Sequence, residues 1–386
     1  MIQSVIGVSD DIDLTVAIEE VISECTKSLG DLIPQVGILF TSCMKADFPD
    51  ILNRILQSFP GVELIGCTTD GEINRETGFI EDSISLLLLS SDSVEFSTAI
   101  ARNLSDNAEA SFVTAIADAN LRLQSTPVCA FTFPDGLTTI NIALGAAIQK
   151  SFGKNFPVFG GTAGDRFLFT ETYQFHNDRV YSDAAPVLLI AGNLRVTAAV
   201  HKGPVPTGLY YRLDRYKNNV VYEIDGKTAS SFFRDHLGDY QEQLSQFPLA
   251  VYEKGATDFY LKDPLHVNDE DESITFVGSF PEQCTVRFSL VSQKDALNAA
   301  NRANFSVLKK ETGVEPEVIF VFPCASLRHV LGSKTNEKFS LLKKDKRNIP
   351  FFGFYCYGEI APFSIGTPTH FHSDTYVIVA LGSVDK

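Results

Sequence analysis

Three carboxylates stand beside a glycine where apolar runs end: Glu72 after Gly71 in IGCTTDGEI, Asp165 after Gly164 in FGGTAGD, and Glu359 after Gly358 in GFYCYGEIAPF. Glycine lets a backbone turn sharply or approach a ligand closely, so an acid placed there can meet a cationic group. Two such acids facing one site repel each other, and one tends to protonate unless a cation such as an amino acid's ammonium lies between them. The competing reading is that each acid only caps a loop or a following helix.

Imidazoles and thiols are the other reactive groups. His201 ends the apolar run TAAVHKG beside a Gly-Pro loop, and His236 has Phe232 and Phe233 as neighbours. His176 follows aromatic residues, His370 and His372 share one face of an extended segment, and His266 and His329 lie among polar residues. Cys43 and Cys324 each follow an apolar run, with His329 five residues beyond Cys324. A nucleophilic thiol needs a lowered pKa, and nothing local marks either cysteine for that. No Gly-x-Ser-x-Gly, Walker A, Gly-x-Gly-x-x-Gly, Cys-x-x-Cys or His-Glu-x-x-His pattern is present, so hydrolase, NTPase, dinucleotide and structural-zinc readings lack their anchors.

Strand–helix–strand units must carry these groups. VGILF (36–40), VCAFTF (128–133) and VIFVF (318–322) each lead through a helical or polar segment to a second apolar run, VELIGC, PVFGG or IPFFGF. Each second run ends near a Gly-acid pair, and a further apolar strand follows from Ser83, Ala185 or Thr375. Short, continuously apolar strands suit parallel sheet covered on both faces, and ligands of open α/β sheets bind at the carboxyl ends of the strands. The expected fold is α/β: repeated βαβ units with mostly parallel sheet regions, and an antiparallel α+β middle segment between about 193 and 292. Helices are expected over 47–59, 227–237 and 294–311. The run Asn268–Glu272 reads as a solvated loop, since its spacing fits no calcium loop.

Composition narrows the partners. A net charge of −16 and a pI near 4.9 repel nucleic acid and anionic membrane surfaces at long range. No apolar run reaches membrane-spanning length and no signal peptide is evident. Seven cysteines, an odd number, fit reduced thiols in a cytoplasm.

The ordered set IGCTTDGEI, FGGTAGD, Gly203-x-x-Pro206-x-Gly208, VVYEIDGKTASSFF, VGSFPEQCTVRF and GFYCYGEIAPF resembles the FIST family of sensory proteins across nearly the whole chain. That resemblance implies a FIST N-type domain over 1–220, with two βαβ units, and a FIST C-type domain over 221–386, with the third unit near 318–382. It implies a non-enzymatic cytoplasmic sensor of a small molecule or gas, acting through a separate partner such as a histidine kinase or a cyclase, possible as a homo-oligomer. Amino acids are proposed ligands of the family. One bacterial branch is similar to a haem-binding nitric oxide sensor, which would place haem b here with His201 as first choice of iron ligand and His236 as second. A haem-free sensor of amino acids or other metabolites is the alternative, and a cysteine-dependent enzyme a further one. The loop from Gly203 carries Pro204-Val205 where many relatives have Cys or Trp, and the chain has no Trp.

Overall fold

A computed structural model describes residues 1–238, 244, 247–309 and 315–384. No helix among them is long and apolar enough to cross a membrane. The three expected βαβ units are present, and each rests on one parallel strand pair. Val36–Thr41 pairs with Glu63–Thr68, Pro127–Thr132 with Val158–Gly161, and Val318–Pro323 with Phe351–Phe354.

The crossovers explain themselves locally. Helix Phe48–Ser58 begins at Asp47, whose side chain accepts from Asp50 N, and it buries Phe48, Ile51, Leu52 and Ile55 on one face. The second crossover is a short 3₁₀ turn, Thr138–Ile140, followed by helix Leu144–Phe152. In the third, the polar segment after Cys324 folds into helix Ser326–Leu331, a 3₁₀ stretch and helix Ser340–Lys344.

The strand that closes each unit runs antiparallel to the unit's first strand, so the sheets are mixed: Ile84–Ser91, Ala184–Gly192 and Thr375–Ser383 lie beside the parallel pairs in that way. An outer strand, Ile2–Ser9, Val94–Arg102 or Leu194–Lys202, then covers each closing strand. The chain is therefore three copies of one larger repeat.

Each sheet is finished by a hairpin from another repeat. The hairpin starting at Glu72 extends the third repeat's sheet, the one starting at Gln174 extends the first, and the one starting at Glu359 extends the second. Three backbone bonds close the ring: Gly164 N donates to Thr68 O, Tyr357 N to Thr162 O, and Asp70 N to Tyr355 O. Inside it, the inner faces of the sheets meet in an aromatic core. Phe40 lies 5.0 Å from both Phe133 and Phe352, and Phe131 lies 4.6 Å from Phe320.

The third repeat carries an insertion between its outer strand and helix Gln293–Leu308. This is the expected antiparallel segment, an eight-stranded sheet between Val205 and Leu290 with helix Ala229–Leu237 packed on it. Pro206 and Gly208, expected in a loop, lie within strand Val205–Lys217. The division at 220/221 falls within strand Val220–Ile224, which pairs with Val205–Lys217. Of the expected helix 294–311, residues 310 and 311 lie outside the described residues.

Candidate functional site

Register identifies the equivalent acids. Glu72 pairs with Phe354, Glu359 with Gly161 and Gln174 with Cys67, each at the start of an exchanged hairpin. Glu72 and Glu359 are thus true counterparts. The third counterpart is Gln174 rather than Asp165, because repeat two inserts extra residues after Gly164. The conspicuous Gly-Asp pair in the sequence concealed that offset.

Both glutamates are fully buried in cages of donors. Glu72 accepts from the hydroxyls of Ser42 (2.9 Å), Thr69 and Ser83. Glu359 accepts from Thr375 N (2.9 Å), Thr375 Oγ1 (2.5 Å) and Cys356 Sγ (3.5 Å), with the Cys324 thiol also directed at it. Burial pushes Glu72 up to about 7 and Glu359 up to about 8, against the hydroxyl bonds that favour the charged forms. Gly71 and Gly358 are packing necessities: a Cβ would fall 2.4 Å from the Phe79 ring or 2.3 Å from the Phe371 ring. A Cβ on Gly164 would lie 3.0 Å from Asp70 N.

Asp165 organises a loop. It accepts from the backbone of Phe169 (2.9 Å), Thr170 (2.7 Å) and Glu171 (3.1 Å), and from the hydroxyl of Tyr357. Arg166, Phe167 and Phe169 take φ of 62°, 61° and 51°, a region costly for bulky side chains and held only where surroundings over-determine it. The strained loop aims Phe167 and Phe169 into a cavity of about 670 Å³, where Tyr357 and His329 join them.

The other end of this cavity is acidic. Asp263 comes from the insertion, and Asp374, Cys324 and Ser326 from the third repeat. One carboxylate oxygen from each aspartate and the Cys324 sulfur all lie within 4.8 Å of one another. Asp374 Oδ1 accepts from Ser326 Oγ, the two carboxyl groups meet each other, and no other donor among the described residues reaches Asp374 Oδ2 or Asp263 Oδ1. Burial, Asp374 and Glu359 push Asp263 far above the carboxylate range, and burial raises Asp374 as well. The Cys324 thiol is driven far up by burial and by Glu359, Asp374 and Asp263. Lys338 is close enough to feel these charges, and burial pulls it down to about 7. Its Nζ lies 5.0 Å from the Tyr355 ring centroid and makes no hydrogen bond. Lys262, next to Asp263, is lowered to about 8 by burial.

Sequence reasoning passed over Asp263 and Asp374, yet a signal exists for one of them. Asp82, Asp183 and Asp374 occupy the same turn before the closing strand of each repeat, all left-handed with φ of 50°, 49° and 54°. Asp82 pairs with Arg166, and Asp183 accepts from Ser105 N (2.9 Å) and Ser105 Oγ (2.6 Å) at a helix start. Asp374 instead faces another carboxylate.

The histidines chosen from the sequence lie elsewhere. His201 is half-buried on strand Leu194–Lys202, opposite Tyr376, and burial, Arg302 and Lys202 lower its pKa. His236 Nδ1 bonds Phe232 O (2.7 Å) and its Nε2 bonds Tyr211 Oη (3.0 Å), so both ring nitrogens are occupied. Neither lines the junction cavity, and an axial haem ligand needs a free nitrogen facing an apolar pocket. His236 therefore offers no free ring nitrogen, and His201 stands apart from this cavity. Cys43 borders a second cavity of about 550 Å³ with Arg166 and Leu168, and burial and Glu72 push its thiol up to about 11.

Fold and site define a threefold-repeat α/β protein with a cavity where an inserted sheet meets two repeats. The chain belongs to the FIST family: it matches the FIST N domain over residues 35–227 and the FIST C domain over 214–362. These domains are associated with sensing small ligands in signalling. An uncharacterized protein of Methanocaldococcus jannaschii is 27% identical over 350 residues, 83% of this chain, and the chain spans 65% of that relative's length. Among solved structures, a chorismatase aligns with TM-score 0.40 at 8% identity over 99% of this chain and 98% of that one. A cyanuric acid hydrolase from A. caulinodans aligns with TM-score 0.38 at 7% identity over the whole of both chains.

Proposed function

We propose that this protein is a haem-free, non-enzymatic sensor of a small polar metabolite such as an amino acid, with the junction cavity as its ligand site. One observation carries the reading: two buried carboxylates from distant parts of the chain meet in an aromatic-walled cavity, with Lys262 and Lys338 near enough to act on them but, among the described residues, no cationic side chain bonded to either. Such a pair is costly alone, and an occupant bringing positive charge to the acidic end relieves it. Phe167, Phe169 and Tyr357 offer flat apolar faces to the ligand's body, while Asp165 fixes the loop that presents them.

The buried Cys324 thiol, pushed upward rather than activated, supports a binding role over nucleophilic catalysis. Because the cavity walls come from the insertion and from repeats two and three, a ligand that favours one arrangement of these parts shifts their equilibrium. In this reading a separate cytoplasmic partner, such as a histidine kinase or a cyclase, senses that shift. The histidine geometry gives haem-based nitric oxide sensing no support.

A thermal-shift screen of free amino acids and small metabolites tests the proposal, with Phe169→Ala as control. A stabilising ligand whose effect falls at least about tenfold in potency in the variant is expected. A ligand whose effect is unchanged in Phe169→Ala places its site elsewhere.

A further inference from the structure

We propose that Asp263, Asp374 and Cys324 hold one divalent, thiol-accepting metal ion such as zinc at the acidic end of the junction cavity, and that the sensed metabolite binds by adding a donor to that ion. This rests on the cavity being the ligand site.

The donor set is the first ground. Two carboxylate oxygens and one thiol sulfur converge within 4.8 Å from three separate segments: the insertion, the loop after strand Val318–Pro323, and the turn before strand Thr375–Ser383. Zinc sites use carboxylate and thiolate donors at about 2.0–2.3 Å, and sites with three protein ligands leave a fourth position open. All three residues line the cavity.

The second ground is independent: Asp263 Oδ1 and Asp374 Oδ2 are buried at the cavity wall, and among the described residues they meet each other's carboxyl group rather than a donor from elsewhere. Asp263 is 8% exposed and Asp374 3%, so bulk water does not solvate them. Buried polar atoms are nearly always paired; these two facing carboxylates are close enough to share a proton, and a metal cation in the proton's place would pair both.

Comparison among the repeats sharpens this. The turn aspartate has an arginine partner in repeat one and a helix start in repeat two. In repeat three the turn aspartate accepts from Ser326 Oγ at a helix start, and the insertion sets a second carboxylate, Asp263, beside it. Cys324 follows strand Val318–Pro323 as Ser42 follows strand Val36–Thr41, so a thiol stands where repeat one has a hydroxyl. An ammonium group gains little from a thiol, whereas a soft divalent ion gains a strong ligand. Lys338 does not take the cation's place, because its Nζ faces the Tyr355 and Tyr376 rings and bonds no carboxylate.

Metal binding displaces the proton held by the carboxylate pair and the Cys324 thiol proton, so the ion enters as protons leave. A ligand carboxylate, amine or thiol then completes the coordination. The metabolite class is thus small molecules bearing a metal-binding donor, α-amino acids among them.

Co²⁺ titration of chelator-treated protein is the test. We expect one Co²⁺ per chain, with tetrahedral visible bands and a sulfur-to-cobalt charge-transfer band, both displaced by Zn²⁺. Cys324→Ser should lose the charge-transfer band. Asp374→Asn, with unchanged circular dichroism, should bind at least about 100-fold more weakly. Absence of stoichiometric binding by the wild type overturns the proposal, as does a charge-transfer band that survives in Cys324→Ser. Metabolite binding that persists in chelator overturns the metal while leaving the cavity reading intact. Stoichiometric metal with no responding metabolite upholds the metal and overturns the cavity reading instead.

Discussion

Glu72 and Glu359 occupy the same position in two repeats, yet hydroxyls of Ser42, Thr69 and Ser83 bond the side chain of the first, while Thr375 and the thiols of Cys324 and Cys356 reach the second. Hydroxyls stabilise a carboxylate better than thiols do. Burial is the main cause of both upward shifts, to about 7 for Glu72 and about 8 for Glu359, and the nearby Asp374 charge raises Glu359 further.

Both values lie above the unfolded value of 4.5, so the folded state binds more protons than the unfolded state between pH 4.5 and about 7–8. Stability contributed by these sites is therefore greatest below that window and falls as pH rises through it. Glu72→Gln, neutral at every pH, should gain stability relative to wild type as pH rises from 5 to 8. Paired urea melts at the two pH values measure this; a difference that stays constant contradicts the raised pKa.

Arg328 lies 3.1 Å from Asp70, which is fully buried, and also reaches Glu81. It ties a third-repeat helix to a first-repeat loop. Arg328→Met leaves a buried carboxylate unpaired and should cost roughly 3–5 kcal/mol. Arg328→Met combined with Asp70→Asn should recover part of it in a double-mutant cycle, and strictly additive losses would show the pair does not interact.

Tyr357 Oη donates to Asp165 and accepts from Phe167 N at 2.6 Å. Tyr357→Phe should destabilise the protein by about 1–3 kcal/mol and weaken ligand binding more than melting alone accounts for, since the loop bearing Phe167 and Phe169 loses its anchor. Calorimetric titration beside a thermal melt separates the two effects. Unchanged affinity would mean that the loop does not shape the site.

Haem titration should give no saturable Soret shift with the wild type, and His201→Ala and His236→Ala should behave identically to it. A specific Soret band lost in either variant would reverse the assignment.

The sequence made the strands at Val36, Val128 and Val318 legible because buried parallel strands are continuous apolar runs. Helix Phe48–Ser58 was legible from its cap and spacing. The closing strands were visible, but not their direction, because an apolar run reads the same either way. Hairpin exchange joins segments far apart in sequence, such as Glu359 with Gly161, and no local pattern encodes such pairing. Asp165 drew attention through its glycine, although Gln174 holds the equivalent place. Asp263 sits in an ordinary strand-end context and becomes conspicuous only when folding sets it against Asp374.

Asp374 also stands at a crossing. Strand Thr369–His372 belongs to the second repeat's sheet and strand Thr375–Ser383 to the third's, and Ser373 and Asp374 are the whole of the step between them. Whatever occupies the cavity therefore grips a fulcrum rather than a wall: a displacement at this turn acts on the edge of one sheet and the centre of another at once, without passing through the aromatic core.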